Sequence, residues 1–323
     1  MKDTQQITFP TIPSWTLNNP EIDLDLTKFT KESTHPSTYR EEFYKILRNK
    51  YVNHAKIYTD GSKSDFAVGA ASVPIPHELE EKYKRLPNSA SIYTAEATAL
   101  NMALDAINIS NDSTFLILTD SLSCLKAIKD QNSMDPRIQK IKQKIHYLSL
   151  KNKTISFLWT PSHVGIEGND MADELAKESL NSTEISQIKI PYTDLIPIVK
   201  TLIKSKWETT WSNEHNNKLH KIQPKLRPRL PLNLNRKNQV KYTRLKIGHT
   251  RLTHEYLLSG EDKPLCTCCN SPLTIEHILC NCSKFSNTRK NFFRTTNIKT
   301  IFSLSSPTKI LNFFKQINLY DKI

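Results

Sequence analysis

The chain has 323 residues, room for about two domains of roughly 150 residues each and for a buried core in at least one of them. It is 37% hydrophobic and 24% charged, holds no run near the ~20 apolar residues of a membrane span, and opens on Met1-Lys2-Asp3-Thr4 without the apolar stretch of a secretory signal. Six cysteines in a chain this long do not make a disulfide scaffold, so secreted, membrane and fibrous classes are set aside. The net charge of +13 is unevenly spread. Residues 1–50 carry 7 Lys/Arg against 7 Asp/Glu, residues 51–182 carry 14 against 16, and residues 183–323 carry 24 against 9. Between His215 and His254 stand 11 basic residues and no acid, interleaved with Leu226, Leu230, Leu234, Val240, Tyr242, Leu245 and Ile247. A basic run of this length with apolar and aromatic residues inside it points to a polyanion. A neutral-to-acidic module joined to a basic one suggests nucleic-acid chemistry.

In chain order, residues 1–50 hold Pro10, Pro13, Pro20 and Pro36 with weak periodicity and read as a linker ending in a short helix near Tyr39–Arg48. Lys56–Thr59 alternates and breaks at Asp60-Gly61-Ser62, a strand running into a turn; Phe66–Val73 should pair with it, and a third strand lies between Glu81 and Leu86. Ile92–Ile109 has Ile92, Ala99, Ala103 and Ala106 at helical spacing. Phe115–Leu118 is a short continuous apolar run, the mark of a strand buried on both faces. Ser121–Asp130 and Pro136–Leu150 read as helices, the second with Pro136 in its first turn. Ile155–Trp159 is a further strand and Asn169–Leu180 a helix opened by acids. The order is that of an α/β sheet layered with helices. Beyond Ser182 a Pro-containing stretch (Pro191, Pro197) leads to a helix at Leu195–Trp211, then the basic segment, a cysteine cluster at Cys266–Cys282 and an amphipathic piece at Ile310–Leu319.

Four acids occupy positions that are costly unless used. Asp60 and Asp120 each follow a predicted strand, where ligands of α/β sheets gather. Glu96 lies four residues after Ile92 and three, four and seven before Ala99, Leu100 and Ala103, on or beside the apolar stripe of its helix. Asp173 falls near the start of the last helix of the series, with Asp170 as a competitor. Singly, each has an ordinary reading as a turn, cap or helix-dipole residue. Together they need a common cause, because converging carboxylates repel and raise one another's pKa. A shared divalent cation is the simplest one, and an all-oxygen ligand set favours Mg²⁺ or Mn²⁺.

The segments Tyr58-Thr59-Asp60-Gly61-Ser62, Ala95-Glu96, Thr119-Asp120-Ser121, Ser162-His163-Val164-Gly165 and Gly168-Asn169-Asp170-Met171-Ala172-Asp173-Glu174-Leu175-Ala176 resemble, in order, the motifs of the ribonuclease H type I domain, most closely the form found in non-LTR retrotransposon polyproteins. The resemblance covers about residues 54–182. It implies a mixed five-stranded sheet with flanking helices, Asp60, Glu96, Asp120 and Asp173 as ligands of two Mg²⁺ (or Mn²⁺) ions, and His163 as the mobile histidine near the leaving product. Asp173 is preferred over Asp170 because the Asp-Glu-Leu-Ala that follows the family's final aspartate begins at Asp173. The implied reaction is hydrolysis of the RNA strand of an RNA–DNA hybrid; four carboxylates nearly balance the charge of two such ions, which serve water activation and charge neutralisation together. The chain departs from relatives that place Asn or Gln before the helical Glu and after Thr-Asp-Ser, having Ile92-Tyr93-Thr94 and Leu122 there. It also lacks a basic insertion after Ser121–Asp130, leaving Arg137, Lys140, Lys142 and Lys144 as a modest substitute.

Five of the six cysteines fall within seventeen residues. Cys266, Cys269, His277 and Cys282 give three thiolates and one imidazole, a closed set suited to structural Zn²⁺, with Cys268 able to exchange as a ligand; Cys124 stands alone on a helix and reads as core. The run from Gly248-His249-Thr250-Arg251-Leu252-Thr253-His254 through this cluster to Glu276-His277-Ile278-Leu279 is similar to the C-terminal CCHC knuckle segment of the same retrotransposon proteins. The expected organisation is therefore an N-terminal extension or linker (1–53), a ribonuclease H-like catalytic domain (54–182), a basic, mainly helical region (183–260), and a zinc knuckle with tail (261–323). The expected function is a metal-dependent endoribonuclease acting on RNA–DNA hybrids, with no membrane partner. The alternative is a catalytically silent nucleic-acid-binding protein that keeps the fold, and a weaker one is a nuclease or transposase built on the same sheet. Fifty residues upstream are too few for a reverse transcriptase and the chain has no Asp-Asp pair, so a fragment, degenerate copy or gene built from such a polyprotein is expected.

Overall fold

Phe115-Leu116-Ile117-Leu118 has no polar side because both faces of its strand are covered. Phe115 and Ile117 pack against one layer of helices, Leu116 and Leu118 against another. The computed structural model describes residues 4–5, 12–13, 16–30, 34–75, 80–226 and 233–323; of the positions named above, Met1, Lys2, Asp3, Pro10 and Leu230 lie outside these. The chain divides into two compact units, Met1–Lys200 and Thr201–Ile323.

The first unit comprises β1 (Thr4–Gln5), β2 (Glu21–Asp23), α1 (Pro36–Lys50), β3 (Ala55–Lys63), β4 (Val68–Ile75), β5 (Lys82–Leu86), α2 (Ile92–Ile109), β6 (Thr114–Thr119), α3 (Leu122–Lys129), α4 (Pro136–Leu150), β7 (Thr154–Trp159), α5 (Glu167–Glu178), β8 (Ile190–Pro191) and the start of α6 (Tyr192–Ser212). β3, β4 and β5 form an antiparallel meander, and β6, β7 and β2 extend it on the other side of β3 in parallel, giving the order β2-β7-β6-β3-β4-β5. α2, α3 and α4 cover one face; α1 and α5 cover the other.

The mixed sheet and its flanking helices follow the expected pattern, but among the described residues the sheet has six strands instead of five. The sixth, β2, is the three-residue Glu21-Ile22-Asp23, too short to show alternation; only its register with Ser156, Phe157 and Leu158 of β7 makes it a strand. The short helix expected at the end of residues 1–53 is α1, but it is packed into the domain and is not part of a linker. α1 starts with Pro36 in its first turn and His35 accepting the Ser37 N–H. It buries Tyr39, Phe43, Ile46 and Leu47 among Leu116, Leu118 and Leu158. Four such side chains, each contributing roughly 1.5–3 kcal/mol when removed from water, hold this arm in place as part of the domain. The compact unit likewise runs past residue 182, because Ile190 joins the core of Val68, Leu86, Ala95 and Ala99, and Asp194 is buried at the start of α2.

The second unit contains the rest of α6, then α7 (Lys218–Ile222), α8 (Arg236–Ile247), α9 (Arg251–His254), α10 (Tyr256–Ser259), α11 (Ser286–Phe292), α12 (Ile298–Leu304) and α13 (Pro307–Gln316). Its core gathers Tyr242 and Leu245 with Ile278, Leu279, Phe302, Phe313 and Phe314. Two of the residues interleaved in the basic run therefore serve packing: α8 turns Tyr242 and Leu245 inward, while Lys237 lies on its exposed side.

Candidate active site

Parallel pairing of β3 with β6 ends at Thr59 opposite Thr119, so Asp60 and Asp120 follow side by side. Asp120 leaves β6 there, whereas β3, instead of turning at Asp60-Gly61-Ser62 as the sequence suggested, continues to Lys63 paired with β4. Glu96 arrives from α2. That helix approaches β3 so closely that a Cβ on Gly61 would stand 2.8 Å from the Glu96 nitrogen and 2.9 Å from Ala95 Cβ, which explains glycine after the aspartate. Asp60, Glu96 and Asp120 each bring a carboxylate oxygen within 4.8 Å of the others. Asp60 and Glu96 are buried. The Gly61 N–H donates to Asp60 Oδ1 at 2.8 Å, while Glu96 Oε2 is buried with no hydrogen-bond partner.

The electrostatics follow from this crowding. Burial, and then the negative charge of Asp120, push Asp60 up to about 8. Burial and then Asp120 and Asp60 raise Glu96 well above the ordinary carboxylate range. Groups forced together at this cost are compatible with a cation among them, and an orphaned carboxylate oxygen is a ligand atom without another use. The residues present thus fit a hard divalent ion.

Asp173, on α5, stands next to this trio without entering it. Its carboxylate accepts from Lys177 Nζ at 2.6 Å and lies 3.8 Å from His163 Nδ1. Its charge still raises Asp60, whereas Asp170 is perturbed by burial and by His163, Asp173, Glu174 and Lys177. Of the two aspartates weighed from sequence, Asp173 is the one electrically joined to the cluster. His163 occupies the β7–α5 loop with φ 56° and an exposed side chain.

The cations expected to replace a basic insertion are used differently. Arg137 is tied to Asp135, Asp194 and Thr94 and lies over the Tyr93 ring, and Lys142 donates to the Asp130 carbonyl. Lys144 pairs with Asp105 at 2.5 Å. Arg137, Lys140 and Lys144 also line a cavity of about 320 Å³ with Lys84 and Lys189. The buried Asp194, which accepts from Ser91 N–H, Ser91 Oγ, Thr94 Oγ1 and Arg137, escaped sequence reading because nothing local marks its partners, 57 to 103 positions away.

With this geometry in hand, comparison with known proteins is direct: residues 52–181 match the RNase H family model. The first unit contains an RNase H domain. Over 169 residues the chain is 34% identical to the Pol polyprotein of equine infectious anemia virus (strain Wyoming) and 33% identical to that of isolate 1369. Each alignment covers 46% of this chain and only 14% of the polyprotein. A crystal structure of RNase H1 from the halophilic archaeon Halobacterium salinarum NRC-1 aligns at 22% identity and a TM-score of 0.33, covering 40% of this chain and 98% of the archaeal one. Among the described residues no helix is long and apolar enough to cross a membrane.

Outside the RNase H domain, Cys266, Cys269, His277 and Cys282 also converge, one ligand atom from each within 4.8 Å of the rest. The Cys282 sulfur is 3.8 Å from that of Cys266 and 3.9 Å from that of Cys269. A tetrahedral site with metal–sulfur bonds of about 2.3 Å has edges of about 3.8 Å. His277 Nδ1 lies 3.3 Å from Ser271 Oγ, leaving the buried Nε2 without a partner. Cys268 is exposed beside Ser283, outside the set; Cys280 is buried in the second core and Cys124 in the first.

Proposed function

We propose that this chain is a metal-dependent endoribonuclease that hydrolyses the RNA strand of RNA–DNA hybrids. The observation that carries the reading is the trio Asp60, Glu96 and Asp120, gathered where the parallel pairing of β3 and β6 ends in an RNase H domain, with two of its members driven toward protonation. Asp60, Glu96 and Asp120, joined by Asp173, would hold two Mg²⁺ or Mn²⁺ ions. When bound, such ions lower the pKa of a water nucleophile and neutralise charge developing on the phosphate. The chain's own part is to bring three carboxylates together, with Asp173 beside them, with little reorganisation: the strand pair orients Asp60 and Asp120, and the close seat of α2 on Gly61 orients Glu96. His163 has Nδ1 turned toward Asp173, so Nε2 is the atom left to exchange a proton with the departing product. Specificity for RNA would come from contacts to 2′-hydroxyls.

Cys266, Cys269, His277 and Cys282 are read as the ligands of a structural Zn²⁺, with Ser271 beside His277 Nδ1 and the unpartnered Nε2 as the imidazole's ligand atom. The basic exposed face of the second unit is read as a phosphate-binding surface that holds template or hybrid. The motif order in residues 54–182, with the Gly248–His254 and Cys266–Cys282 segments, supports descent from a non-LTR retrotransposon polyprotein.

The second reading, a silent nucleic-acid-binding protein, has one observation in its favour: Asp173 is engaged by Lys177 at 2.6 Å. A gel of labelled hybrid with and without Mg²⁺ separates the two. Mg²⁺-dependent cleavage that vanishes in Asp60→Asn and Asp120→Asn, with hybrid retention within about twofold of wild type, supports the enzyme. Retention with no cleavage by the wild-type chain supports the silent protein, and preferential cleavage of double-stranded DNA overturns both.

A further inference from the structure

We propose that Arg40, on α1 and outside the residues that match the RNase H family model, is a positioning residue for His163; the inference rests on the reading of His163 as a proton-transfer group. The loop from Thr160 to Ile166 joins β7 to α5 and carries His163. Its base is pinned within the domain. The Thr160 N–H donates to the Thr119 carbonyl at 2.9 Å, and Thr160 Oγ1 donates to Asn169 Oδ1 at 3.1 Å. Its far part is pinned by the N-terminal arm: Val164 and Ile166 are buried in one cluster with Tyr39 and Phe43 of α1, and Arg40 Nη1 donates to the Val164 carbonyl at 2.8 Å.

The backbone between these anchors is bent in a way that needs holding. His163 and Gly165 both take left-handed conformations, φ 56° and 79°. For histidine this is uncommon, and such a conformation persists when the surroundings over-determine it. The Arg40 guanidinium lies across the turn, so close that a Cβ on Gly165 would be 2.9 Å from Nη1. Buried Val164 on one side and the Thr160 anchor on the other leave His163 as the residue that projects, 70% exposed, with Nδ1 3.8 Å from Asp173. A charged donor on the carbonyl immediately after the His163–Val164 peptide fixes that peptide's neighbour and with it the direction of the imidazole. Loss of the donor strips the Val164 carbonyl of its partner and lets the left-handed turn relax.

The test uses the full chain, hybrid substrate and Mg²⁺, with Arg40→Ala, Arg40→Lys, His163→Ala, the Arg40→Ala/His163→Ala double variant, and Ile46→Val as a packing control on the same helix. His163→Ala is expected to lower kcat by about 10²-fold, the scale of a lost proton-transfer group. Arg40→Ala is expected to lower kcat by about tenfold with KM within about twofold, the scale of a misplaced group. The double variant should be no slower than His163→Ala, Arg40→Lys should recover part of the loss, and Ile46→Val should lower Tm without lowering kcat. In histidine-labelled protein, Arg40→Ala should also shift or broaden the His163 ring resonance, assigned through its absence in His163→Ala. An unmoved resonance, losses that multiply in the double variant, or, where His163→Ala is itself slow, a kcat within twofold of wild type in Arg40→Ala would overturn the proposal. A moved resonance together with wild-type turnover in His163→Ala would instead leave the positioning intact and remove the role assigned to His163.

Discussion

Replacing Asp60 by Asn should make the metal-free protein more stable while abolishing turnover. The folded chain holds Asp60 at about 8 against an ordinary value of 3.8, because the side chain is buried and faces Asp120. The folded state therefore keeps a proton that the unfolded state gives up, and stability falls as pH rises from about 4 to about 8, levelling beyond that. Each pH unit in that window costs about 1.4 kcal/mol, so by pH 7 the ceiling is on the order of 4 kcal/mol. Asparagine has no proton to lose and so has no such slope. Relaxation of the site will absorb part of the ceiling, but even about 1 kcal/mol moves Tm by about 2–4 °C in a domain of this size. Calorimetry in EDTA between pH 4 and pH 9 should show the wild-type and Asp60→Asn curves close together at pH 4 and separating up to pH 8, with the variant higher. Added Mg²⁺ should then raise the wild-type Tm more than that of the variant, as binding to the folded state requires. Parallel pH curves, or a Mg²⁺ shift equal in both proteins, would refute the claim that these carboxylates are held together at a cost that a cation offsets.

Gly61→Ala puts a methyl group 2.8 Å from the Glu96 nitrogen, so α2 must shift; a loss of about 1–3 kcal/mol in denaturant titration should accompany weaker Mn²⁺ binding by calorimetric titration. Cys282→Ser should reduce Zn²⁺ by metal analysis from about one ion per chain to almost none, and should expose amides of the 266–282 segment to hydrogen exchange, since metal binding of about 10–16 kcal/mol can be the folding energy of such a module. Phe43→Ala should destabilise the first unit by about 3–5 kcal/mol, because α1 closes one face of the sheet; an unchanged Tm would return residues 36–50 to the status of a linker. Binding of hybrid in EDTA should weaken steeply with salt, by about 10³-fold or more between 50 and 200 mM if six or more phosphates are neutralised; a flat dependence would remove the basic unit from the interface.

Much of the RNase H domain was legible from local pattern. Phe115–Leu118 had to be a doubly covered strand, Ile92–Ile109 had the spacing of the helix it forms, and Pro136 opened α4 as its fixed φ requires. Glu96 could be singled out because a carboxylate on an apolar stripe is a local contradiction, and Cys266, Cys269, His277 and Cys282 because thiol and imidazole spacing is itself chemical. In both cases the physical cause lies within one or two turns of chain, where sequence distance and spatial distance agree.

Other features depend on groups that meet across the fold. β2 has three residues and no pattern of its own, and its hydrogen bonds exist only because β7 offers an open edge. Asp194 is buried because Ser91, Thr94 and Arg137 converge on it from two distant helices, and Arg40 reaches a carbonyl 124 positions away. Tyr242 and Leu245, read as companions of a basic run, turn out to be core, because the helix places them on its inner side against Phe302 and Ile278. The carboxylates show the same divide. Their types and positions could be read one by one, but that three meet within 4.8 Å while Asp173 turns to Lys177 follows from strand register and helix seating. Pairwise electrostatics depend on separation in space, and a linear string of residues does not contain that separation.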